Sequence, residues 1–478
     1  MTRPLSILDL AFFVLETKER PMNVGPLIVL KPPPRRSARP FADVLHERMM
    51  RRPAGAPFNM KLMPPSLTSL PMLVPDPAFD LARHVHRITL PKPGTVDMLL
   101  ARVCELHPRL LDRSRPLWEF YLIDGLEGGR VALYAKMHHG TVDGVGFVKI
   151  ISRWLCESPK DRVGRAMWEG VDGAADARRR SDSLGSEAGR LLQAGVGSAR
   201  TVLSLGKMLW QQGKATLGAG TGAPLPFVTT PDVLRAAPSP HRSLAHCALS
   251  LDRVKTLGKT RGATINDMLL TVVDMALTRY LEDNGWAPAQ PLVADMPVAL
   301  GGGGSGGNRI ALVQIPLGAP GLDPIARLEA IRTRTQAVKG EIHGGAEDAA
   351  MLHSVIAHAL PGLWEALGLQ AAPLLANLVV SNPFGFTGER YLMGAEVDLA
   401  LPVSVIAPGQ VLNITASNYV DRYQITFIAV TEAVPDLGRL ATYTEEAFAT
   451  LAASLSGEGT KRRGRGRAKA TRGKDQSP

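Results

Sequence analysis

His138 and His139 stand side by side in the run Lys136-Met137-His138-His139-Gly140-Thr141-Val142-Asp143-Gly144. A neutral imidazole can take a proton from an attacking group, and a nearby carboxylate can fix its orientation. Upstream, Val131, Leu133, Ala135 and Met137 alternate with Ala132, Tyr134 and Lys136, the period of a strand. Downstream, Val145, Val148, Ile151 and Leu155 recur at helical steps, so a helix should pack on that strand. The histidines then fall at a strand end, Gly140 permits a sharp turn, and Asp143 is placed to cap the helix. If the pleat continues through the pair, His139 shares the face of Met137 and Ala135, and His138 points the other way. A bare His-x-x-x-Asp also fits hydrogen-bonded core histidines followed by a capping Asp, or a metal site. The metal reading lacks a third and fourth ligand nearby in sequence.

The full His-His-x-x-x-Asp-Gly at a strand end is more specific. It resembles the signature of CoA-dependent and carrier-dependent acyltransferases, among them bacterial wax ester synthase/diacylglycerol acyltransferases and peptide-synthetase condensation domains. Further matches narrow the resemblance to the first of these. Pro4-Leu5-Ser6-Ile7-Leu8-Asp9 and Pro21-Met22-Asn23-Val24-Gly25 look like that family's opening, and Pro116-Leu117-Trp118-Glu119 matches its Pro-Leu-Trp motif. Asn266-Asp267 matches its Asn-Asp pair, although Thr264 with Asp267 also reads as a simple helix cap. Trp118 likewise reads as a buried aromatic anchor at a strand edge. Ser381-Asn382-Pro383-Phe384-Gly385-Phe386 lies where the family usually has Ser-Asn-Val-Pro-Gly-Pro, and it departs around Pro383. The matches run in the family's order through most of Met1 to Leu455.

The resemblance implies an α/β (α+β) protein with the two-domain CoA-dependent acyltransferase fold, chloramphenicol acetyltransferase-like, and an active site at the domain junction. The expected division is an N-terminal domain at 1–160, an interdomain linker at 161–240, a C-terminal domain at 241–457 and a basic tail at 458–478. The implied reaction moves a fatty acyl group from acyl-CoA to diacylglycerol or a long-chain alcohol. His139 is then the proton acceptor, Asp143 the orienting group and His138 a structural support. Asn266, Asp267, Ser381 and Asn382 are expected to support the site, and Asn266, Ser381 and Asn382 are candidate oxyanion donors. No metal or redox cofactor is expected, because the thioester already activates the acyl group. An acyl-serine intermediate is not implied either, since no Gly-x-Ser-x-Gly elbow accompanies the histidines.

Composition sets the remaining bounds. The 478 residues are 45% hydrophobic and 21% charged, enough to bury sizeable cores in two large domains. Three scattered cysteines, Cys104, Cys156 and Cys247, make neither a disulfide framework nor a zinc site and fit a reducing compartment. The apolar run Ile7 to Leu15 is broken by Asp9 and reads as a helix capped by Ser6, not as a signal peptide. No charge-free and proline-free apolar stretch approaches the twenty or so residues a spanning helix needs. Gly301 to Gly307 contains a formal Gly-x-Gly-x-x-Gly, but a strand follows where a dinucleotide fingerprint needs a helix, so it reads as a mobile loop.

Between Pro159 and Ser239, Arg178 to Arg180, Gly-Ala runs and clustered prolines mark the linker. Within it Leu192, Val196, Ala199, Leu203 and Trp210 can share one helical face, suited to packing on the body or lying on lipid. Residues 460–478 hold eight Lys/Arg and one acid, seven of the net +11 charge, and read as disordered. A cytoplasmic protein in peripheral contact with the inner membrane or lipid inclusions is expected, with no specific nucleic acid as partner. Two other readings stand beside this one. The first is a condensation-type enzyme with a carrier-bound donor, and the second is a non-catalytic lipid-surface or nucleic-acid-binding protein.

Overall fold

The computed structural model describes residues 2–5, 7–34, 39–63, 71–141, 144–170, 234–299, 310–343, 361–362, 364–365, 374–383 and 385–457. The first half runs β1 (Arg3–Pro4), α1 (Ile7–Leu15), β2 (Asn23–Lys31), α2 (Phe41–Met50), β3 (Met60–Met63), β4 (Met72–Pro75) and β5 (Val85–Thr89). It continues through α3 (Val96–Leu106), β6 (Trp118–Asp124), β7 (Val131–His138) and α4 (Gly144–Trp154). The second half contributes β8 (Arg242–Ser250), α5 (Leu251–Lys259), α6 (Ile265–Asp283), β9 (Val293–Ala299), β10 (Ile310–Pro316) and α7 (Pro324–His343). After these come β11 (Leu378–Ser381), β12 (Tyr391–Leu392), β13 (Ala395–Val403), β14 (Leu412–Tyr419), β15 (Arg422–Val430) and α8 (Leu437–Leu455).

Two six-stranded mixed sheets organise the chain, in the orders β12-β13-β2-β7-β6-β5 and β10-β9-β11-β14-β15-β8, with a small β1-β4-β3 sheet beside them. β7 is buried along its whole length, as a strand covered on both faces must be. One face, through Leu133, Ala135 and Met137, packs on Leu45 and Met49 of α2 and Ile150, Ile151 and Trp154 of α4. The other, through Ala132 and Tyr134, joins a core that continues without a break into the second half. α3 lies on that inner side. Thr95 caps it by accepting from the Met98 N–H, and Leu99, Leu100, Val103 and Leu106 are its buried stripe.

The halves share strands. Between β11 and β14 the chain leaves the second sheet, adds β12 and β13 to the first sheet beside β2, and returns. Residues 391–403 therefore belong structurally to the first half, inside the span 241–457 read from sequence as one C-terminal domain. Sequence order hid this, because a strand's partner depends on which edge is open and not on chain position. The register then decides what lies at the strand ends. Asn23 pairs with His138 and Gly25 with Val403, so the end of β13 and the end of β7 flank the start of β2. Only glycine fits at position 25, where an added Cβ would stand 1.6 Å from the Ala135 carbonyl oxygen.

β14 and β15 pair antiparallel as far as Tyr419 and Arg422, so the turn between them falls at Val420 and Asp421. The last helix begins at Leu437, after Asp436 in the left-handed region. Residues 161–170, at the start of the expected linker, pack on the first half, and Trp168 is fully buried against Trp118. The expected linker helix, the glycine loop at 301–307, the Ser6 cap, Phe384 and the basic tail lie outside the described residues.

Candidate active site

The strand pleat does not continue through both histidines. β7 ends at His138, and His139, Gly140 and Thr141 form a single 3-10 turn, so alternation cannot assign the face of His139. Hydrogen bonds from neighbouring segments hold the turn. His138 N–H donates to the Leu117 carbonyl at 3.0 Å, His139 N–H to the Met22 carbonyl at 2.8 Å, and Thr141 Oγ1 to the His138 carbonyl at 2.8 Å. Trp118 donates its indole N–H to the Phe58 carbonyl at 2.7 Å and stacks between His84 and Trp168. The Pro-Leu-Trp segment therefore anchors the strand beside β7 and receives the His138 amide.

α1 closes the turn from outside. Phe12 stacks on His139 with ring centroids 3.9 Å apart, and Phe13 stacks on His138 at 4.1 Å. The close approach requires Gly140, whose Cβ would meet the Asp9 carbonyl oxygen at 2.6 Å and the Phe13 ring at 2.7 Å.

The two imidazoles differ in environment. His138 is fully buried, and its Nδ1 accepts the Gly140 N–H at 3.1 Å. The ring proton must then sit on Nε2, which faces Glu16 Oε1 at 3.4 Å. Glu16 also accepts the Met22 N–H at 3.2 Å and an Arg113 N–H at 3.0 Å. Burial raises the Glu16 carboxyl, but these contacts outweigh it and leave its pKa below the ordinary value. His139 is partly buried. Desolvation, and then the charge of His138, push it from 6.5 to about 4, against a hydrogen bond to its own backbone that pulls upward. At neutral pH it is an uncharged base held by stacking.

Asp143 lies outside the described residues. Glu16, Arg113, Phe12 and Phe13 were not singled out from sequence. The available signal was a carboxylate ending an apolar helix, which polarity alone assigns to solvent.

The second-half residues form two sets. Asp267 is buried in the capping box of α6, where its Oδ2 accepts from Thr264 N–H at 2.7 Å and Thr264 Oγ1 at 2.8 Å. Its Oδ1 accepts from Thr335 Oγ1 at 2.6 Å, which ties α6 to α7. Asn266, one residue earlier, accepts from Asn382 Nδ2 at 2.7 Å, so those two expected site residues meet. Ser381 Oγ bonds Thr415 Oγ1 at 2.9 Å, and Thr415 bonds Ser404 Oγ at 2.8 Å. Ser404 directly follows the end of β13, whose Val403 pairs with Gly25 two residues from the partner of His138. The strand exchange thus brings the Ser381 end of the second sheet to the same edge of the junction as the histidine turn.

Comparison with known proteins agrees with this architecture. The first condensation domain of the CDA synthetase shares the fold over 95% of this chain and 96% of its own, at TM-score 0.58 and 16% identity. A wax ester synthase/diacylglycerol acyltransferase from Marinobacter aquaeolei VT8 superposes at TM-score 0.70 and 27% identity, covering 95% of this chain and 100% of that one. The fold is therefore that of the two-domain, condensation-type acyltransferases. Residues 5–269 match the wax ester synthase/diacylglycerol acyltransferase catalytic domain, and 306–452 match the C-terminal domain of the same family. An O-acyltransferase WSD of Acinetobacter baylyi is 31% identical over 93% of this chain and 96% of its own. A probable diacylglycerol O-acyltransferase of Mycobacterium tuberculosis is 32% identical over 94% and 96%. The chain belongs to the wax ester synthase/diacylglycerol acyltransferase family.

Proposed function

We propose that this chain is an O-acyltransferase that moves a fatty acyl group from acyl-CoA to the hydroxyl of diacylglycerol, a long-chain alcohol, or both. The observation that carries the mechanism is the neutral, partly buried His139 beside a His138 whose ring is committed to Gly140 and Glu16. A free nitrogen of His139 takes the proton as the acceptor oxygen attacks the thioester carbon. The tetrahedral oxyanion collapses, the C–S bond breaks, and the departing thiolate takes the proton back from the imidazolium. Base assistance of this kind contributes about 10²–10⁴ in rate. His138 is a positioning residue, and Asp143 is assigned to orient the turn. Asn266, Asn382 and Ser381 are the candidate donors to the oxyanion, supported by the Asn266–Asn382 contact and the Ser381–Thr415–Ser404 chain, and Asp267 holds α6 in place for Asn266. The reaction needs no metal or redox cofactor, because the thioester supplies the activation.

The acceptors are lipids, and the basic residues of 460–478 suit an anionic leaflet, so the protein works in peripheral contact with a membrane or lipid-inclusion surface from the cytoplasmic side. Among the described residues no helix is long and apolar enough to cross a membrane. Co-sedimentation with anionic vesicles at low salt should weaken when residues 459–478 are removed. Equal binding by both proteins removes the tail from this reading.

The deciding experiment is a panel of diacylglycerol and alcohol acceptors with free palmitoyl-CoA. Turnover should appear with one or both acceptors and fall to near background in His139→Ala. Turnover only with a carrier-bound donor moves the chain to the condensation-type reading. Turnover undiminished in His139→Ala overturns the assignment of the base.

A further inference from the structure

A groove of about 480 Å³ opens at the seam between the halves. One wall is the end of α3 with Pro108 and Arg109, and the other is the start of β8 with His241 and Arg242. The groove backs onto the segments that hold the histidine turn. The Arg109 carbonyl accepts from Asn23 Nδ2 at 3.1 Å and from Lys136 Nζ at 3.0 Å. The Glu19 carbonyl accepts from Arg242 at 3.2 Å, and three residues on, the Met22 carbonyl holds His139 N–H.

Among the described residues, the two arginines of the groove make no ion pair with a carboxylate. Arg242 is only 7% exposed, yet its guanidinium donates to the carbonyls of Ser239, His241 and Glu19 and, among the described residues, makes no ion pair with a carboxylate. Arg109 is exposed and donates its Nε–H to the Glu105 carbonyl at 3.1 Å, again with no carboxylate partner among the described residues. Of the nearby acids, Glu105 pairs with Arg102, and Glu432, whose charge also bears on Arg242, pairs with His241 of the groove wall. Arg20, close enough for its charge to bear on Arg242, is itself paired with Glu365. A guanidinium held away from water without a counter-ion is costly, and its planar fork matches a phosphate.

We propose that this groove binds a phosphate-bearing group, with Arg109 and Arg242 as its cations, and that the group is the nucleotide end of the acyl-CoA donor. This rests on the acyl-CoA reading above. The groove adjoins the segments whose backbone holds the His139 turn, so a donor whose nucleotide end lies in it can direct its thioester towards that base.

The test compares two donors with the same acyl-pantetheine end, one carrying the phosphorylated nucleotide and one lacking it. For Arg109→Ala the KM for palmitoyl-CoA should rise about ten-fold, the loss expected for a charge-assisted hydrogen bond, with kcat within a factor of about two. The KM for palmitoyl-pantetheine should not move. Arg242→Gln should act in the same direction. If it fails to fold, Arg109→Glu replaces it and should raise the palmitoyl-CoA KM further. Adenosine 3′,5′-bisphosphate should compete with palmitoyl-CoA in the wild type and lose affinity in each variant. Equal KM changes for both donors, or none for palmitoyl-CoA, overturn the proposal. Should the wild type not turn over acyl-CoA at all, the functional reading fails separately. Calorimetry of adenosine 3′,5′-bisphosphate then still decides the groove. Binding that weakens in Arg109→Ala supports a phosphate site, and no binding to the wild type refutes it. Competition by phospholipid headgroups but not by the bisphosphate assigns the groove to lipid and overturns the donor assignment.

Discussion

Replacing Gly140 by alanine adds one methyl group at the point where α1 meets the histidine turn. The backbone at Gly140 is not in the left-handed region, so alanine is allowed there and only the space is at issue. The new Cβ would lie 2.6 Å from the Asp9 carbonyl oxygen, short of a 3.4 Å contact by about 0.8 Å, and 2.7 Å from the Phe13 ring. The Phe13 ring is pinned against His138, and the Asp9 oxygen is backbone, so the adjustment must come from α1 or from the turn. Overpacking of this kind costs about 1–3 kcal/mol, and a displacement near 1 Å at a reacting group costs about 10²-fold in rate. Gly140→Ala should therefore fold with a Tm lower by several degrees and a kcat reduced by about 10- to 100-fold. Thiol release from palmitoyl-CoA, run beside thermal unfolding, measures both. Wild-type kcat and Tm together would refute the packing argument. A lowered Tm with unchanged kcat would show that α1 stabilises the turn without setting the position of His139.

Glu16→Gln keeps the size and removes the charge that Arg113 and His138 share. Stability should fall by about 1.5–3 kcal/mol, the range for a hydrogen bond to a charged group, and urea unfolding checks it. The pH dependence has a definite sign. His139 must be neutral to act, so kcat/KM should be flat from pH 8 to about 5 and fall through about 4, once corrected for the folded fraction by circular dichroism. A limb near 6.5 would show an unperturbed imidazole. Stability behaves differently, because the unfolded chain binds protons on His139 and His107 at higher pH than the folded one. The unfolding free energy should decline as pH falls from 6.5 towards 4, with buried His107, lowered to about 3, extending the decline. Asp267→Ala removes the acceptor of three hydrogen bonds at the start of α6 and should cost about 2–4 kcal/mol. An unfolding midpoint equal to wild type would refute its place in the cap.

The sequence by itself determined what depends on short-range chemistry. Period-two alternation gave β7, the three- and four-residue steps gave α4, and Thr264 with Asp267 gave the start of α6, because each reports a local preference the fold did not override. The family was legible for the same reason, since its motifs are short and ordered along the chain. Tertiary structure decided the rest. The pleat could not be carried through His139, because the turn closes on α1, and α1 is set against it by the size of residue 140. Nothing local marks Glu16, after an apolar helix, as nearly buried; it is so because Arg113, 97 positions away, meets it there. The strand at 395–403 looked like part of a second domain and completes the first sheet, since the open edge it joins belongs to β2. Pairing across hundreds of residues depends on register and available edges, which leave no mark in any single window of sequence.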